Sequence, residues 1–72
     1  MANKQDGKIF KDLGDQIREA RESARLTQAE VADAAGVNVS YYAQIERGEV
    51  NPSYEKLQSI MKVVKLKSLD IS

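Results

Sequence analysis

The sequence contains no cysteine and no histidine. Their absence excludes disulfides, zinc fingers, thiolate or imidazole catalysis, and a proton switch near neutral pH. No acidic cluster has the spacing of a calcium loop. Uninterrupted apolar runs are only a few residues long, as at Val63-Val64, so no segment reads as a membrane span. The opening MANKQDGK lacks the apolar stretch of a signal peptide. Net charge is missing too, because 11 Lys+Arg balance 11 Asp+Glu. What is present is 72 residues, 42% apolar and 31% charged, the composition of one small globular domain with a thin core. It reads as a cytoplasmic protein with no cofactor, and one that dimerisation would help to stabilise.

Residues 1–7 are polar and end on Gly7, which predicts a flexible arm, with the folded domain over 8–72. From Ile9 onward Phe10, Leu13, Ile17, Ala20 and Ala24 recur at spacings of three and four, the stripe of a first helix. Gly14 inside that pattern costs about 1 kcal/mol against alanine, so it predicts a close approach by another helix. Thr27-x-x-Glu30 is a capping box, with Leu26 placed to staple onto Val31. Gly36 then ends a second helix expected over 28–35. Asn38 can cap a third helix over 39–47 that closes at Gly48. Tyr42 and Ile45 are expected to face inward on it, with Val39, Ser40, Tyr41, Ala43, Gln44 and Arg47 outward. Ser53 can cap a fourth helix, striped by Leu57, Ile60, Met61 and Val64. Tyr54 is expected to pack. Residues 68–71 are expected to start one further turn, and some of Val63, Leu66, Leu69 and Ile71 to supply a dimer face, with plain core filling as the alternative.

Two helices of about eight residues cannot be stable singly. Joined by Gly-Val-Asn at a steep angle they make a helix-turn-helix, whose second helix stands out from the body. Such a helix fits the B-DNA major groove, about 12 Å wide. The residues that carry this pattern run in order: Leu13-Gly14-x-x-Ile17-Arg18, Leu26-Thr27-Gln28-x-x-Val31-Ala32, Gly36-Val37, Ile45-Glu46-Arg47-Gly48 and Asn51-Pro52-Ser53. Together they resemble the Cro/repressor-type, or xenobiotic-response-element, helix-turn-helix family over nearly the whole chain.

The resemblance implies an all-α, compact, five-helix lambda-repressor-like domain whose second and third helices form the helix-turn-helix. It implies a bacterial or phage-encoded regulator that binds double-stranded DNA as a homodimer on inverted half-sites, one duplex turn of about 34 Å apart. By position, base-edge contact falls to Val39, Ser40, Tyr41 and Gln44. Gln44 can pair with adenine N6 and N7, and Val39 can pack on a thymine methyl. Phosphate contact falls to Gln28, Asn38, Arg47 and Asn51, aided by backbone N–H groups at the second helix's start. Arg21 and Glu46 line up with a structural ion pair of the family. Many relatives carry a helix-ending glycine where this chain has Lys65, and Lys or Arg where it has Glu49, Val50 and Val39.

The charges are distributed unlike those of most DNA binders. Residues 28–52 carry one basic side chain (Arg47) and four acidic ones (Glu30, Asp33, Glu46, Glu49), a net of −3. Two functions are therefore weighed. One is a repressor, Cro-like or controller protein, with RNA polymerase as a further partner. The other is a protein-interaction module on the same fold, such as an antitoxin that binds a toxin. An enzyme is not expected. There is no Gly-rich phosphate loop, and a chain of 72 residues leaves no room for a sizeable pocket.

Overall fold

The computed structural model describes residues 4–65, with side chains from residue 7 onward. Among the described residues there are four helices and no strand: α1 (Lys4–Ser23), α2 (Gln28–Ala35), α3 (Val39–Glu46) and α4 (Tyr54–Val64). The architecture is all-α, with α1 lying against α3 and α2 against α4. No helix among the described residues is long and apolar enough to cross a membrane. The further turn expected at 68–71, and Leu66, Leu69 and Ile71 of the expected dimer face, lie outside the described residues.

Local chemistry marks most of the helix ends. Thr27 accepts the Glu30 N–H through Oγ1 at 3.0 Å, and the Thr27 N–H donates to Glu30 Oε1 at 2.8 Å, closing the capping box. Asn38 Oδ1 accepts the Ser40 N–H at 2.7 Å, and Ser53 Oγ accepts the Lys56 N–H at 3.3 Å. Three consecutive helices end in Schellman turns. The Leu26 N–H donates to Arg21 O, the Val37 N–H to Ala32 O and the Glu49 N–H to Gln44 O. The left-handed residue of each turn is Arg25, Gly36 and Gly48 in order.

The core is Leu13, Ile17, Val31, Ala32, Tyr42, Ile45, Ile60 and Val64. Gly14 explains how α1 gets close to it. A Cβ built there would stand 2.4 Å from Ile45 O and 2.5 Å from Glu46 O. At Gly48 (φ +74°) a Cβ would stand 2.7 Å from the Lys11 Cα. Two glycines thus let α1 lie directly on the backbone at the C-terminal end of α3.

Three expectations are corrected. The first helix begins at Lys4, so residues 4–7 of the expected arm are helical. A helix already nucleated over three later turns extends at little cost, even through a glycine. Ala24 is exposed and lies past the end of α1, because the chain turns left-handed at Arg25. Tyr54 is 75% exposed and does not pack; at the first position of α4 it points outward and accepts a hydrogen bond from Gln58 Nε2 at 2.7 Å.

Candidate nucleic-acid interface

Burial divides α3 by face. Tyr42, Ile45 and Glu46 are inside, whereas Val39 (44% exposed) and Ser40 open to solvent. Ala43 and Gln44 are half-buried, and Arg47 is exposed at the cap. Residues 39, 40, 43, 44 and 47 fall on one side of a helix by their spacing of three to four. Four of the residues assigned by sequence, Val39, Ser40, Gln44 and Arg47, therefore share one surface.

Tyr41 differs from them. It is half-buried against the edge of the core, and the Lys56 ammonium stands 5.9 Å from its ring centroid. That is cation–π range, so the ring is held between α3 and α4. Asn38 spends its Oδ1 on the α3 cap, reaching the Tyr41 N–H as well at 3.4 Å. Only the N–H2 end of its amide is left for a phosphate.

Beneath the exposed face lies a polar network centred on Glu46, only 4% exposed. Arg21 grips it in a fork, Nε to Oε2 at 2.6 Å and Nη2 to Oε1 at 3.2 Å. The Tyr42 hydroxyl donates to Oε2, and Gln28 Nε2 donates to Oε1 at 2.9 Å. Arg21 Nη1 also donates to Leu26 O at 3.0 Å, where α1 gives way to α2. One carboxylate thus ties α1, the start of α2 and α3 together. Among the described residues no buried side-chain polar atom lacks a partner, so the charge is well compensated. Burial pushes the Glu46 carboxyl upward, but the hydrogen bonds from Arg21, Tyr42 and Gln28 outweigh it and hold it below the ordinary range. The Tyr42 hydroxyl is raised, first by burial and then by the carboxylate it serves.

This network limits what Gln28 can do. One of its two amide donors is spent on Glu46, so a phosphate there would meet the second, together with the backbone N–H groups of Gln28 and Ala29. The capping box satisfies the next donor, the Glu30 N–H, and the Val31 N–H goes to Thr27 O. The positive end of the α2 dipole reinforces those two N–H groups.

Beside α3 a cleft of about 490 Å³ brings together Lys11 and Arg18 of α1, Gln28 of α2, and Arg47 and Glu49. Sequence reasoning placed Gln28 and Arg47 in a shared role, with a surface pair between Arg47 and a nearby carboxylate as the rival reading, but it gave Arg18 no part and did not name Glu49 as that carboxylate. There Arg47 Nε donates to Glu49 Oε2 at 2.8 Å and Nη2 to Oε1 at 3.1 Å. The signal that was available is Arg-Gly-Glu after a helix, since a left-handed glycine folds the third residue back beside the first. Asn51 is exposed in the loop that follows.

The sequence pattern of a helix-turn-helix family matches residues 17–71. The chain is 42% identical over 48 residues to the HTH-type transcriptional regulator DdrOP3 of Deinococcus deserti, which covers 67% of this chain and 37% of that protein. It is 43% identical over 54 residues to the transcriptional regulator ClgR of Mycobacterium tuberculosis, covering 75% of this chain and 48% of the relative. The chain thus spans less than half the length of these curated relatives. Among solved structures, the restriction-modification controller protein C.AhdI from Aeromonas hydrophila superposes with a TM-score of 0.77 at 26% identity, over 81% of this chain and 88% of that one.

Proposed function

The chain belongs to the Cro/repressor-type helix-turn-helix family, and from that membership we propose that it is a transcriptional regulator that binds double-stranded DNA in a sequence-specific way. The observation that carries the reading is the exposed face at the leading end of α3, set on a rigid polar footing. Val39, Ser40 and Gln44 meet base edges in the major groove, with Tyr41 contributing its accessible edge. Gln28, Asn38, Arg47 and Asn51 meet phosphates on either side. The Glu46 network fixes the angle at which α3 is presented, because it joins the helix to α1 and to the start of α2.

A single α3 reads only a few base pairs, so the chain works as a homodimer on inverted half-sites about 34 Å apart. It acts in the cytoplasm, where its operator is. Selection from a random-sequence duplex pool, followed by gel shift at low salt, tests this. An enriched inverted repeat supports the reading, and a pool that stays random after repeated rounds overturns it.

A second reading has one observation in its favour, the net charge of −3 over residues 28–52. It makes the domain a protein-interaction module such as an antitoxin. Stoichiometric copurification of a partner protein, with no affinity for any selected duplex, distinguishes it.

A further inference from the structure

We propose that Glu49 is a built-in competitor for DNA phosphate: its carboxylate holds the Nε/Nη2 edge of the Arg47 guanidinium in the unbound protein and is displaced from it when a duplex backbone reaches the cleft. The inference rests on the DNA-binding reading above and adds a residue that tunes its strength.

Three observations support it. First, the contact is a two-bond fork at 2.8 and 3.1 Å. The fork occupies the Nε/Nη2 edge, so a phosphate must displace the carboxylate to pair there, or else take the Nη1 edge with the Glu49 charge close beside it. Second, the turn that produces the fork is fixed by the fold. Gly48 is left-handed and lies on the Lys11 backbone, while the Gly48 N–H donates to Ile45 O and the Glu49 N–H to Gln44 O. Glu49 is returned to Arg47 by backbone geometry and not by the reach of its own side chain.

Third, the cleft has few other cations to offer. Arg21 is committed to the buried Glu46, and Lys11 and Arg18 flank Asp15 at 3.9 and 3.5 Å. Arg47 and its partner are the more open pair, with side-chain exposures of 55% and 51% against 44% and 34% for Arg18 and Asp15. Such a pair is weak and exchangeable. Glu49 therefore attenuates binding and does not abolish it.

Fluorescence anisotropy across a salt series, on a duplex recovered by selection, tests this with wild type, E49Q, R47Q and the double variant. Glu49→Gln should tighten binding roughly three- to tenfold at each salt concentration, because Arg47 then meets the phosphate without first giving up a carboxylate. Arg47→Gln should cost the E49Q protein more than it costs the wild type. An unchanged affinity in E49Q overturns the proposal. So does a gain that survives in full after Arg47→Gln, which would mean simple removal of a like charge.

A second arm needs no duplex. The Arg47 Nε–H resonance is followed by NMR during titration with inorganic phosphate at constant ionic strength. It should respond at lower phosphate in E49Q than in wild type, and equal responses overturn the competition. If selection enriches no duplex for any variant, the DNA reading falls, and the phosphate titration decides the role of Glu49 by itself.

Discussion

Gly7 and Gly14 both sit inside α1, and alanine at either should have opposite effects. Helix propensity alone favours Gly→Ala by about 1 kcal/mol at an interior position. At Gly7 a new Cβ meets nothing within 4 Å, so Gly7→Ala should stabilise by about 0.5–1 kcal/mol. At Gly14 the new Cβ falls 2.4 Å from Ile45 O, 2.5 Å from Glu46 O and 2.8 Å from the Glu46 carbonyl carbon. All three are backbone atoms, so no rotamer change relieves the overlap. Either α1 withdraws by about 1 Å or the end of α3 distorts, and overpacking of this kind costs about 3 kcal/mol or more.

After the propensity gain, Gly14→Ala should destabilise by about 2 kcal/mol or more. A chain of 72 residues has about 4–11 kcal/mol in total, so the loss is large, and it corresponds to a fall in Tm of about 8–16 °C. Urea denaturation followed by circular dichroism is the assay, at one protein concentration because self-association raises apparent stability. A G14A protein as stable as wild type would refute the close seating of α1 on α3. G7A serves as the internal measure of propensity in the same helix.

Acid should unfold the protein partly through Glu46. Its folded pKa is held below the ordinary carboxylate value, so the stability it contributes is complete above about pH 5 and is lost as pH falls through the lowered value. Glu46→Gln should cost about 3 kcal/mol at neutral pH by leaving Arg21 without a counter-charge, and should flatten the acid limb of a stability–pH curve; an unchanged acid limb counts against the network. Lys65 ends α4 at φ 60°, a conformation that strains any residue with a Cβ. Lys65→Gly should therefore raise the urea midpoint by an amount worth about 1 kcal/mol, as should Arg25→Gly at the end of α1. Gln44→Ala should cost about 1–3 kcal/mol on the best duplex and relax preference at one base pair per half-site, which repeating the selection with the variant would reveal.

The parts of the fold that were legible in sequence are those fixed by short-range chemistry. Thr27 with Glu30, Gly36, Asn38 and Ser53 each mark a helix boundary because a cap needs only a side chain and a backbone group within three residues. Tyr42 and Ile45 were legible as core from spacing. The Arg21–Glu46 pair was suggested only by family resemblance, since 25 residues separate its members. The start of α1 was not legible, because Gly7 and the polar residues before it look like an arm when read locally. Arg25 was missed for a related reason. A left-handed turn favours glycine, and here the Leu26 N–H bond to Arg21 O and the seating of Leu26 against the core override that preference. Gln28 was read as a phosphate ligand, with simple helix-start chemistry as the rival, whereas one of its two amide donors is turned inward on Glu46.

The net charge of the reading unit shows how far a tally can mislead about an interface. Its four carboxylates enter the sum equally, yet they occupy very different places. Glu46 is buried and fully hydrogen-bonded, so little of its charge reaches a duplex beyond what Arg21 cancels. Glu30 is engaged by the Thr27 N–H at the start of α2, where the helix dipole also compensates it. Asp33 is exposed, one turn further along α2 toward its C-terminal end. Glu46 and Glu49 both line the cleft, but of the two only Glu49 is open to water, beside a cation that a phosphate also needs. An apparent deficit of three charges thus reduces, at the surface that matters, to one carboxylate on a glycine turn. A single substitution at that position is then enough to separate a weakly basic footprint from an attenuated one.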